Sequence, residues 1–270
     1  MERIEGRVAL VTGAASGMGR GTALALARNG ARLLVTDIDA TGLAETAALI
    51  AGVGVDPLAV TLDIADENAA ETLKAAVLDR FGRVDIVMNN VGVLTRGLPE
   101  AIPAEEWMRV LNVNLLSIVR SNLAFLPLLL AQGEGHIVNT ASFAGLYTYA
   151  FDRLPYAAAK AAVVQMSEGL ALYLRPRGIG VTCLCPGPVK TNIMRSLRAF
   201  GPPTDTLGPG PQFALKDPDA VGEMVVAAIR SNRFMLPTDD QVLPLLAARA
   251  ADWDDFLAER IAHPHVSAKA

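Results

Sequence analysis

Cysteine is scarce in this chain, with 2 in 270 residues. Cys183 and Cys185 stand two apart in an apolar run, where a strand would set them on one face. They cannot build a disulfide framework, and no metal-ligand spacing accompanies them. We therefore expect a reducing compartment and no bound metal. Histidine is equally thin: of His136, His263 and His265, the last two read as surface residues of a tail. Basic blocks are missing. With 24 basic and 28 acidic residues and a net charge of −4, nucleic acid is not an expected partner. Long hydrophobic runs are missing too. The most lipid-like stretch, 115–130, is interrupted by Arg120, Asn122 and Pro127, whereas a membrane span needs about 20 nearly unbroken apolar residues. The apolar run at 8–11 is too short for the core of a signal peptide, so the expected location is cytoplasmic, away from membranes.

What is present is apolar bulk. Hydrophobic residues make up 51% and charged ones 19%, enough apolar surface to offset chain entropy. The length fits one large α/β domain spanning 1–270. Short continuous apolar runs at 8–12, 32–37, 58–63, 86–90, 136–140, 181–185 and near 234–236 read as strands covered on both faces. Helical patterns lie between them at 18–29, 41–51, 67–81, 104–130 and 156–174, with a C-terminal helix at about 241–262. The alternation predicts a Rossmann-type, doubly wound, mostly parallel seven-stranded sheet with helices on both faces. Ligands then gather at the carboxyl ends of the strands. Between 187 and 218 the pattern breaks into Gly-Pro punctuation, and we expect a substrate lid over about 190–216.

The first strand runs into Thr12-Gly13-Ala14-Ala15-Ser16-Gly17-Met18-Gly19 and then a helix. Glycines let the backbone turn close to a pyrophosphate, and the helix start offers free N–H groups and a favourable dipole. The Gly-x-x-x-Gly-x-Gly spacing resembles the cofactor turn of the short-chain dehydrogenase/reductase family, over roughly residues 5–240. Asp37 ends the second strand 24 residues after Gly13, with Ile38 following. A carboxylate there accepts from both ribose hydroxyls and repels a 2′-phosphate, which favours NAD over NADP. Otherwise Asp37 or Asp39 caps the next helix. The resemblance implies that Asp63, with Ile64, meets the adenine. The alternative for Asp63 is a helix cap. It also implies that Asn90, Val91 and Gly92 pass beside the adenosine ribose, with Val91 where the family usually has alanine. Asn89 reads as a sheet-stabilising residue.

Tyr156 and Lys160 stand four apart on a helix, so their side chains share a face. Alcohol oxidation needs a base for the hydroxyl proton while hydride leaves carbon. A phenol titrates near 10, and lowering it by about three units takes roughly 4 kcal/mol. Lys160 and a positive nicotinamide ring are the expected sources. Ser142, after the fifth strand, is placed to hold the substrate oxygen. The resemblance adds a ribose contact for Lys160 and a proton-relay asparagine. Asn114 fits the family pattern, with Asn112 as the fallback and a purely structural asparagine as the other reading. It further implies that Pro186, Gly187, Val189 and Thr191 turn over the nicotinamide, with Val189 fixing the ring face and hydride moving on the pro-S side.

Fourteen positions separate Ser142 from Tyr156, about one more than the resemblance implies, so a bulge is expected between them. Leu94, Phe143, Tyr149, Leu154 and Met194 are the expected substrate walls, and with Leu146, Phe151, Leu197 and Phe200 they suit a hydrophobic secondary alcohol or ketone. Arg96, Arg153, Arg195 and Arg198 read as surface residues, the alternative being that they read an anionic group. The helix at 157–174 is apolar on several sides, which predicts a homodimer or homotetramer. Two other functions fit less well: an idle dinucleotide-binding sensor or scaffold, and an epimerase or dehydratase of the same type.

Overall fold

The structure is a computed structural model, and it describes residues 1–203, 205 and 207–264. The tail histidine His265 lies outside the described residues. Strands β1 (Val8–Thr12), β2 (Arg32–Asp37), β3 (Leu58–Thr61) and β4 (Ile86–Asn89) alternate with helices α1 (Gly17–Arg28), α2 (Ala40–Gly52) and α3 (Ala69–Phe81). A short β5 (Thr95–Gly97) follows, then α4 (Ala104–Leu111), a π-helical turn (Asn112–Leu116) and α5 (Ser117–Gln132). The second half holds β6 (Gly135–Thr140), α6 (Phe143–Leu146), α7 (Leu154–Leu174), β7 (Ile179–Cys185), β8 (Arg198–Phe200), α8 (Pro218–Ser231), β9 (Met235–Pro237), α9 (Val242–Ala251) and α10 (Trp253–Ala262).

Seven strands form one sheet in the order β3-β2-β1-β4-β6-β7-β9, and every pairing is parallel. The fold is the expected doubly wound one. Every residue of β1, β4, β6 and β7 is buried, as continuous apolar runs require when helices cover both faces. The edge strand β3 alternates between half-buried and exposed instead. The order in which strands are added reverses between β1 and β4, and this switch point opens a crevice at their carboxyl ends.

On one face α1 meets α8 almost backbone to backbone. A Cβ on Gly21 would collide with the Pro218 carbonyl, and one on Gly222 with the Gly21 carbonyl. At the amino edge of the sheet, buried Asp85 accepts from Arg7 Nη1 (3.1 Å), Arg83 Nε (3.1 Å) and the Val8 amide (2.8 Å). His136 is buried beside the Thr182 hydroxyl at 2.8 Å, and burial drives its pKa down to about 3.

Two expectations need correction. The region read as an irregular lid contains β8, which pairs in parallel with β5 as a second, two-stranded sheet. The C-terminal helix is two helices, broken at Asp252, whose extended backbone (φ −152°) lets its carboxylate cap α10 at the Asp254 and Asp255 amides. The helical run 104–132 is by itself long and apolar enough to cross a membrane. Here it is a core element. Half of its most apolar window is buried, and Asn114, Ser117, Ser121 and Asn122 within it are enclosed by the fold.

Candidate active site

The crevice at the switch point is a cleft of about 370 Å³. Gly13, Ser16, Gly17, Met18, Asp37, Ile38, Asn90, Val91, Gly92 and Thr191 line it, each expected from the sequence. Ala15, Asp39, Val93, Asn192, Ile193, Arg195 and Ser196 line it too. Sequence reading gave none of these seven a cofactor role, and it passed over Asn192 and Ile193, which open the punctuated segment.

Ser16 starts α1 in an extended conformation without spending its hydroxyl on a cap. Gly17 follows at φ +53°, and a Cβ there would lie 3.0 Å from the Thr191 methyl. A Cβ on Gly19 would strike the Gly13 carbonyl. The turn is thus a cradle that side chains would fill, closed from above by Thr191. At one end Asp37 holds a fixed orientation: Oδ2 accepts from the Ala15 amide and Oδ1 from the Asp39 amide, both at 3.0 Å. Asp39 caps α2 through the Gly42 amide at 3.1 Å, so the capping role belongs to Asp39 and Asp37 stays at the cleft. Arg20, one turn into α1, is occupied by the Ala15 and Gly42 carbonyls, the Thr46 hydroxyl and Glu45. These features fit a nicotinamide dinucleotide.

Asp63 and Ile64 are not among the residues lining the cleft, and Asp63 Oδ1 accepts from the Ala65 amide at 2.8 Å. Pro186, Gly187 and Val189 also lie outside the lining. The Pro186 carbonyl accepts from the Phe143 amide (2.9 Å), the Gly187 amide donates to the Thr238 hydroxyl (2.9 Å), and Val189 bridges to Lys216.

Tyr156, Lys160 and Ser142 converge beyond the other end of the cleft. Tyr156 is buried with Val110, Ala144 and Ala159. Burial pushes its phenol up to about 12, and a hydrogen bond with Ser142 pulls the other way without offsetting it. Ser142 Oγ also caps α6 at the Ala144 amide (3.2 Å). Lys160 Nζ donates to the Thr140 carbonyl at 2.7 Å and stands 5.8 Å from the Tyr156 ring centre. Burial lowers Lys160 to about 8. The protein's own groups leave the phenol raised, and the lowering expected from Lys160 and a nicotinamide ring together is a matter for the loaded site. Desolvation of both side chains outweighs their proximity.

Asn114 is fully buried in the π-helical turn. Its Oδ1 accepts from the Val93 amide (2.8 Å) and its Nδ2 donates to the Val93 carbonyl (3.0 Å). A Cβ on Gly92 would lie 3.6 Å from Asn114 Oδ1 and 3.7 Å from Lys160 Nζ, so both reach this centre. Asn112 faces away, donating to the Ala65 carbonyl at 3.1 Å.

The substrate walls are partly corrected. Phe143 is fully buried, with its ring 5.0 Å from Phe213 and packed where a Cβ on Gly187 would sit. It is core, because the first turn of α6 aims it behind the strand ends. Leu154 lines a separate cavity of about 260 Å³ with Trp107 and Arg249. Leu94 and Tyr149 pack on the cluster around Tyr156, and Met194 is exposed above Leu94. Arg153 is no surface residue: it is paired with fully buried Asp152 at 3.0 Å.

The short chain dehydrogenase family profile matches residues 7–201. The chain belongs to this family. A probable oxidoreductase, EphD, of Mycobacterium tuberculosis is 38% identical over 245 residues, covering 87% of this chain and 41% of its own length. The chain thus spans about two fifths of that longer relative. The 1-deoxy-11-beta-hydroxypentalenate dehydrogenase of Streptomyces exfoliatus is 35% identical over 236 residues, 86% of this chain and 83% of that protein. A solved short-chain dehydrogenase/reductase from Burkholderia phymatum, in complex with NAD, superposes with a TM-score of 0.84 at 30% identity, covering 100% of both chains. Between Ser142 and Tyr156 the chain makes the single turn of α6 before entering α7.

Proposed function

We propose that this short-chain dehydrogenase interconverts a secondary alcohol and a ketone on an apolar body, with Tyr156 as the acid–base and NAD preferred over NADP. The convergence of Tyr156, Ser142 and Lys160 beyond the Gly13–Gly19 cradle carries the reading. A relative named as the dehydrogenase of a hydroxy compound supports the same class. The cleft residues Gly17, Thr191 and Asp37 would hold the dinucleotide, which supplies hydride or accepts it. Asp37 favours the 2′-hydroxyl form, since a 2′-phosphate would meet its carboxylate.

Ser142 Oγ orients the substrate oxygen against the phenol. In reduction Tyr156 donates its proton to that oxygen, and in oxidation it accepts one. Lys160 presents its ammonium beside them and orders the Thr140 strand end. Asn114 fixes the Val93 turn that forms the opposite wall. A phenol at about 12 is fully protonated at neutral pH and ready as an acid. To act as a base in oxidation the same phenol must first be lowered.

Tyr156→Phe tests this directly. Hydride transfer, followed at 340 nm over apolar ketones and alcohols, should fall about a thousandfold, with dinucleotide affinity retained. Turnover kept within about tenfold would show that Tyr156 is not the acid–base.

A further inference from the structure

The cleft at the Gly13–Gly19 cradle carries acid before anything binds. Asp37 and Asp39 line it, and Arg195 is its one basic lining side chain among the described residues. The neighbouring cations are engaged elsewhere, Arg20 with the Ala15 and Gly42 carbonyls and Glu45, and Lys160 with the Thr140 carbonyl. A nicotinamide dinucleotide brings a dianionic pyrophosphate into that field. The start of α1 answers part of the charge: its first turn holds no acid, and the Ser16 side chain leaves its amides uncapped. A helix end counts for only about half an elementary charge, so much of the anion stays unanswered.

Arg195 is placed to answer it. It belongs to a short 3-10 turn, Ile193–Ser196, that lines the cleft. The turn is pinned on both flanks. Thr191 stands where its methyl would lie 3.0 Å from a Cβ on Gly17. Ser196 Oγ accepts from the Leu94 amide (3.1 Å) and donates to the Ile193 carbonyl (2.7 Å). The Arg195 amide itself donates to the Asn192 carbonyl at 2.9 Å. The backbone is fixed, yet the guanidinium is exposed and makes no hydrogen bond or ion pair among the described residues, not even with Asp37 or Asp39. Arg153 and Arg198 differ from it, being paired with buried Asp152 and buried Glu106.

We infer that Arg195 clamps the dinucleotide pyrophosphate, facing the α1 amides across it. The inference rests on the cleft being the seat of the dinucleotide and adds a positioning residue to that seat. A planar guanidinium fork matches two phosphate oxygens, and the pair strengthens as the bound dinucleotide displaces water from the cleft.

The test measures binding of NADH, NADPH and ADP-ribose to the intact chain without substrate, by calorimetry, and of adenosine by competition against NADH. Arg195→Gln should weaken NADH and ADP-ribose about tenfold and leave adenosine unchanged. Arg195→Lys should recover part of the loss. Raising salt from about 50 to about 500 mM should weaken NADH binding more in the native protein than in Arg195→Gln. The unfolding midpoint of the variant should match that of the native protein. NADH affinity kept within about twofold would overturn the clamp, as would an equal loss for adenosine. A loss confined to NADPH would mean that the guanidinium reads a 2′-phosphate instead. A raised KM for the ketone with NADH binding unchanged would move it to the substrate. The two readings separate: native binding of NADH that ignores Arg195→Gln removes the clamp alone, whereas no binding of NADH or NADPH by the native protein removes the cofactor seat and the clamp with it.

Discussion

Asp37 meets the cleft with a carboxylate whose direction is set by two backbone amides, at Ala15 and Asp39. Its remaining lone pairs face the cleft, so it can accept from a ribose without paying to reorganise. Asp37→Ala should raise the KM for NAD about tenfold or more while that for NADP holds or improves. Equal loss of both cofactors in steady-state assays would refute the ribose argument. Residues of this kind were legible beforehand because their motifs are local and sit at strand ends, where topology alone fixes the direction. Phe143 was not. Its side chain points inward because Gly187, 44 residues away in sequence, leaves room for its ring. Nothing near Phe143 in sequence carries that information. The high phenol pKa of Tyr156 was hidden for a related reason: burial is a property of the packed core, not of the Tyr-Lys spacing.

Among the elements, β5 and β8 hold the two sides of the cleft mouth together. Their backbones approach closely, since a Cβ on Gly97 would lie 2.6 Å from the Phe200 carbonyl. Glu106 of α4 ties the pair. Buried, it accepts from the Thr95 hydroxyl, from Arg109 Nε (2.9 Å) and from Arg198 Nη1 at 3.4 Å. Burial alone would raise its pKa, but the bonds from Arg109 and Thr95 outweigh it and the net shift is downward. A carboxyl held below its ordinary value contributes stability above that value and loses it as pH falls through the folded pKa. Glu106→Gln should therefore cost about 2–4 kcal/mol at pH 7 and less near pH 3, measured by urea unfolding. Amide exchange should quicken in β5 and β8 and stay unchanged in β1. A loss that is the same at both pH values would exclude the ionic tie. Sequence reading missed these strands because three residues carry no period, and because glycine and proline surround β8. The break at Asp252 had a local sign in hindsight, an aspartate followed by two acids in the first turn of α10.

At the scale of the molecule, α7 corrects the expectation of a helix buried on several sides. Its buried residues, among them Tyr156, Ala159, Val163, Ser167 and Ala171, form one stripe. Leu172 is left 77% exposed, and Leu123 on neighbouring α5 is 71% exposed. Those apolar side chains suit a second copy of the chain, and we expect a homodimer or homotetramer. Sedimentation at micromolar protein should give a mass of two or four times 28.4 kDa, and a monomer mass would discard this. The seven-stranded, doubly wound sheet was legible because strand–helix alternation is a long-range regularity that even a single sequence displays.

The close seam between α1 and α8 has a consequence for the chain as it is made. The glycine turn and α1 leave the ribosome before their packing partner, which begins at Pro218. At ordinary synthesis speeds the interval is roughly 10–40 s. Throughout it, the small-residue flank around Gly21 stays open to water and to other nascent chains. The glycine cradle is thus made well before the helix that braces it, and its α1 flank is complete only once α8 has emerged.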